Sequence, residues 1–83
     1  MTSGKLTEKN AHTYLAQHRE GEILQIQDIE GGKGARKKMF DLGLVPGSTV
    51  EILQGIPNHP YILKVGGTRI MLGWGMVQKI LVG

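Results

Sequence analysis

Val65-Gly66-Gly67-Thr68 joins two short runs, YILKV and TRIML, in which alternate apolar residues share a face. Two glycines between β-rich runs supply the positive φ that a two-residue hairpin turn demands. This hairpin sets the fold class, because other segments repeat its pattern. STVEIL (48–53) aligns Val50 with Ile52, and KILV (79–82) aligns Ile80 with Val82. EILQIQDI (22–29) aligns Leu24 with Ile26, but Ile29 falls out of phase, which predicts a bulge near Gln27-Asp28. A chain of 83 residues holds one core. An open sheet of five short strands leaves long edges exposed, and closure into a small barrel removes them. The expected architecture is therefore mainly β: a five-stranded SH3-like barrel, with one short helix after the first strand and a further N-terminal helix.

The N-terminal helix is predicted over Glu8–Arg19, where Ala11, Tyr14, Leu15 and His18 form a helical stripe that Thr7 can cap. The inserted helix lies in GGKGARKKMFDLGLVPG (31–47). From Gly34 to Leu42, Ala35, Met39 and Leu42 fall on one side, with Lys37, Lys38 and Asp41 opposite. Gly43 stands where a left-handed C′ residue belongs, Leu44 can fold back on Met39, and Pro46-Gly47 turns the chain into the next strand. Gly43, Pro46, Gly47 and Gly67 are thus structural. The same stretch is no phosphate cradle: Arg36 and Lys37 stand where a P-loop or a dinucleotide fingerprint needs glycine.

Structure does not explain the cations. Arg36, Lys37 and Lys38 crowd the start of the helix, where its dipole disfavours positive charge. A locally unfavourable choice points to function, against the plainer alternative of a solvated face. Lys33, Arg36, Lys37 and Lys38 are the candidate partner-binding corner. Trp74 is a second candidate contact, because two flanking glycines give no cover to its indole; otherwise it is a lid on the barrel end.

The absence of cysteine excludes disulfides, thiol nucleophiles and Cys-ligated metal. The net charge of +3 suits an anionic partner or simple solubility. The start of the chain has no apolar stretch of a signal peptide, and no run approaches a membrane span, so a cytoplasmic location is expected. His12, His18 and His59 show no ligand spacing, and Met39, Met71 and Met76 are expected to fill the core. No metal site, cofactor or catalytic residue is expected, since no nucleophile or carboxylate stands in a recognisable relation to a histidine.

With these residues in view, the chain resembles the FeoA family. The likeness runs from Leu15 to Val82 and is most specific at Asp41-Leu42-Gly43-Leu44-Val45-Pro46-Gly47, Gly67-Thr68 and Ile80-Leu81-Val82. It implies an N-terminal extension over 1–14 and a domain over 15–83. It also implies a non-enzymatic accessory role in ferrous iron uptake, through contact with FeoB, the membrane iron permease with a cytosolic GTP-binding domain. Weak self-association is a further expectation. Glu20 stands where the family usually has proline. Gly73-Trp74-Gly75-Met76-Val77 replaces a run that is usually charged. Similar domains end some metal-dependent repressors, but this chain has no room for a DNA-reading helix-turn-helix. The alternative is a small basic barrel binding nucleic acid, which its few aromatics, Tyr14, Phe40, Tyr61 and Trp74, do not favour.

Overall fold

The computed structural model describes residues 12–83. Its elements are β1 (Thr13–Tyr14), a 3-10 turn (Leu15–Gln17), β2 (Ile23–Ile29), α1 (Lys33–Asp41), β3 (Thr49–Gln54), β4 (Tyr61–Val65), β5 (Thr68–Leu72), α2 (Trp74–Val77) and β6 (Ile80–Val82). The strands form one antiparallel sheet in the order β1-β6-β2-β3-β4-β5.

The five strands read from the sequence are all present, and their inward faces form the core. Ile26, Ile29, Val50, Ile52, Tyr61, Leu63, Val65, Leu72, Ile80 and Val82 are buried together with Leu15, Met39, Leu44 and Val77. Each such side chain contributes on the order of 1.5–3 kcal/mol of hydrophobic stabilisation. The bulge in β2 falls where the phase slip places it: the register against β6 shifts between Ile26 and Asp28, which lets Ile26 and Ile29 both point inward. A second shift, in β3 between Ile52 and Gln54, has no counterpart in the sequence pattern. In the β4–β5 hairpin Val65 pairs with Thr68, with Gly66 at φ 55° and Gly67 at φ 84°.

Two expectations change. The described part of the predicted N-terminal helix is strand β1 followed by the 3-10 turn; Glu8–Ala11 lie outside the described residues. Thr13 and Tyr14 pair with Val82 and Leu81, so the outer edge of β6 takes up the segment as a strand. Among the described residues the sheet also does not close by strand pairing, since β1 and β5 remain its two edges. A side chain links the two ends instead: buried Tyr61 of β4 places its hydroxyl 2.8 Å from the His18 carbonyl and 3.2 Å from that of Ala16.

Helix α1 ends as the sequence predicts. Leu42 is the C-cap, Gly43 at C′ has φ 89°, its N–H donates to the Phe40 carbonyl, and the Leu44 N–H donates to the Met39 carbonyl, both at 2.9 Å. This is a Schellman stop, with Met39 and Leu44 both buried as its apolar pair. A Cβ at Gly43 meets only Val65, at 3.7 Å, so the cost of Gly43→Ala is conformational rather than steric. The substitution is expected to destabilise by about 1 kcal/mol in denaturant unfolding, with an unchanged slope. Val45–Ser48 then forms a turn with Pro46 and left-handed Gly47 (φ 96°) at its centre, closed by the Ser48 N–H on the Val45 carbonyl at 2.9 Å.

Candidate partner-binding corner

Helix α1 starts one residue earlier than the pattern suggests. Lys33 and Arg36 thus occupy the first turn, and Lys38 falls in the last, where a cation suits the dipole. The first turn contains no acid, and the Gly32 cap offers no side chain. Lys33, Lys37 and Lys38 are exposed. Lys37 lies 3.4 Å from Asp41, a solvated pair of small energetic weight. Arg36 differs from the lysines. Its Nη1 donates to the Ile29 carbonyl at 2.7 Å and sits 3.9 Å from Asp28, so it ties the helix to the bulged end of β2.

The fold adds a cation that sequence spacing does not reveal. The Lys79 carbonyl accepts the Glu30 N–H at 2.8 Å, and the Lys79 stem passes over Gly31. A Cβ on Gly31 would lie 3.3 Å from Lys79 Cδ and 3.4 Å from Ala35 Cβ, and the backbone there is left-handed at φ 116°. Gly31 is therefore both a turn residue and the gap through which Lys79 joins the start of α1. Only the β2–β6 pairing brings Lys79 here.

Trp74 lies elsewhere. Helix α2, absent from the sequence reading, turns the indole onto the core, where it is half-buried against Tyr61 with ring centroids 6.0 Å apart and planes tilted by 42°. It covers one end of the core and leaves part of its ring to solvent. The methionines divide: Met39 is buried, Met76 packs at the core margin, and Met71 is 69% exposed on the outer face of β5, contrary to its expected role as core filler. Strand alternation explains this, because Ile70 and Leu72 take the inward positions.

Among the described residues, no group of three or more histidine, cysteine or carboxylate side chains is placed to hold a metal ion. His18 is built into the N-terminal segment. Its Nε2 lies 2.7 Å from Thr13 Oγ1 and its Nδ1 2.7 Å from Glu22 Oε1. The Arg19 backbone N–H donates to Glu22 Oε2 at 2.7 Å, and this bond, followed by that to His18, holds the Glu22 carboxyl below its usual value. A lowered carboxylate stabilises the fold fully above its unfolded pKa, and that contribution is lost as pH falls through the folded one. Thermal stability is therefore expected to decline from about pH 4.5 downward, and Glu22→Gln to flatten that acid limb. Thermal melts across the acid range check this. Tyr14, whose hydroxyl donates to Glu30 at 2.9 Å, has its phenol pKa raised by that bond.

One groove, of about 680 Å³, runs between the end of α1 and the β4–β5 hairpin, lined by Leu42, Val65, Thr68 and Ile70 among others. Leu42 reaches it because, as the helix C-cap, it turns away from the core and remains 38% exposed.

This mainly β architecture recurs in solved structures and is that of an SH3-like domain. The crystal structure of an iron uptake regulatory protein, FeoA, superposes with a TM-score of 0.81 at 34% identity, over 86% of this chain and 95% of that one. A manganese-dependent transcriptional repressor bound to manganese shares the fold at a TM-score of 0.81 but only 17% identity, over 87% of this chain and 36% of its own. In sequence, "Putative Fe(2+) transport protein A" of Methanocaldococcus jannaschii is 32% identical over 68 residues, 82% of each chain. The FeoA domain model matches residues 13–83, and the chain belongs to the FeoA family.

Proposed function

We propose that this protein is a non-enzymatic accessory of ferrous iron uptake that acts in the cytoplasm by binding the GTP-binding part of a FeoB-type iron permease. The observation that carries this reading is the basic corner. Lys33, Lys37 and Lys38 project from one short helix, and Lys79 joins them from the turn just before β6. Family membership and the names of the relatives supply the iron context. Arg36 positions the helix through Ile29, while the exposed lysines supply the contact charge. Trp74 contributes through the part of its ring left open over Tyr61. Among the described residues no helix is long and apolar enough to cross a membrane; in this reading the membrane path belongs to the permease.

The test is co-purification of the tagged protein with the permease in detergent, in the nucleotide-free, GDP and GTP-analogue states. Recovery of the permease in at least one state is expected. Recovery in none contradicts the proposal.

A further inference from the structure

We propose that β5 is a docking edge that takes an extended acidic segment of a partner protein as an added strand, at a site separate from the lysine corner. β5 ends the sheet order, and among the described residues no strand pairs with its outer edge. The two-residue turn makes Val65–Thr68 a hydrogen-bonded pair, so Ile70 and Leu72 also face β4 with their backbone groups. Arg69 and Met71 consequently direct their N–H and C=O groups outward, as a strand-adding peptide requires.

The side chains specify the occupant. On the outer face Glu51, Lys64 and Arg69 form one cross-strand row, with Lys64 directly opposite Arg69. Like charges in direct opposition are unfavourable, and among the described residues neither cation forms an ion pair. A carboxylate on an added strand beside Arg69 relieves that repulsion. In the next row half-buried Ile62 pairs with Met71, which is 69% exposed. The incoming strand therefore presents an acid beside Arg69 and an apolar residue two positions away beside Met71. The residue between them faces inward, toward the groove lined by Leu42, Val65 and Ile70. A second copy of this chain fits less well, because its own β5 edge brings another Lys64–Arg69 pair, while the acid of that row, Glu51, stands two strands in from the edge. A charge such as Arg69 can by itself blunt an edge, but this edge also exposes an apolar methionine beside it.

The probe is a fluorescein-labelled eight-residue peptide in which glutamate and valine alternate, titrated with the intact protein and followed by anisotropy. Saturable binding is expected, weakened about tenfold or more when lysine replaces glutamate, or by Arg69→Glu in the protein. Of two peptides N-methylated at alternate residues, only the one methylated at edge-facing positions is expected to lose binding. Amide hydrogen exchange at Arg69 and Met71 is expected to slow on binding, and Lys37→Glu with Lys38→Glu to leave it unchanged. Arg69 is exposed, so its reversal is expected to keep the melting transition, which controls for folding. Three results overturn the proposal: no saturable binding, amide changes confined to α1, or Arg69 and Met71 amides already protected in the free protein at high concentration, which is the signature of a second copy on the edge.

Discussion

Tyr61→Ala is expected to cost about 3–5 kcal/mol, enough to unfold much of so small a domain. Tyr61 is the largest of the fully buried side chains, and three parts of the fold meet on it. Its ring packs against Trp74 of α2. The chain passes so close at Gly55 that a Cβ there would lie 3.0 Å from the ring and 2.9 Å from Ile52. Its hydroxyl reaches the His18 and Ala16 carbonyls and lies 3.3 Å from Arg19 Nη1, which holds the N-terminal segment across the open side of the sheet. Tyr61→Phe keeps the ring and removes only the hydroxyl link, so it is expected to cost about 1 kcal/mol. Denaturant unfolding of both variants separates packing from linkage. Equal losses in the two would mean that the hydroxyl, not the ring, organises this end of the fold.

Tyr61 also marks the limit of what the sequence shows. Strand alternation assigns it to the core, and the alternation is reliable because each of the five strands β2 to β6 turns one face into the core. The β2 bulge, the glycine hairpin and the Schellman stop were equally legible, since each depends on residues close together in the chain. What the tyrosine hydroxyl bonds to was not legible, because its partners, Ala16 and His18, lie at the other end of the sheet. Strand β1 is too short to show a period, and its extended form comes from pairing with the last strand. Lys79 joins the basic corner by the same kind of remote pairing. Helix α2 was not legible either, because Gly75 within its four residues argues against helix on propensity, yet the Gly73 carbonyl accepts the Met76 and Val77 N–H groups and burial of Val77 overrides it.

The second large effect is expected in binding rather than in stability. Charge reversal by Lys37→Glu together with Lys38→Glu is expected to weaken the partner complex about tenfold or more while leaving the melting transition nearly unchanged. Both residues are exposed, and among the described residues the only ion pair either makes is the one between Lys37 and Asp41. The helix they stand on is anchored from its other faces: Met39 in the core, Arg36 on the Ile29 carbonyl, and the Schellman stop at its end. Arg36→Ala is therefore a poor probe of contact, because it releases the helix from β2. Reversal acts mainly on the encounter rate, and so the loss should shrink as salt screens both proteins.

The most direct measurement is a titration of this protein into the purified GTP-binding domain of the cognate permease, by calorimetry at low and at high salt and in each nucleotide state. Saturable binding that weakens with added salt, and weakens further in the Lys37→Glu, Lys38→Glu variant, is the predicted result. Absence of binding in every nucleotide state, or binding that neither salt nor the reversed pair alters, would contradict the claim that the basic corner is the contact face.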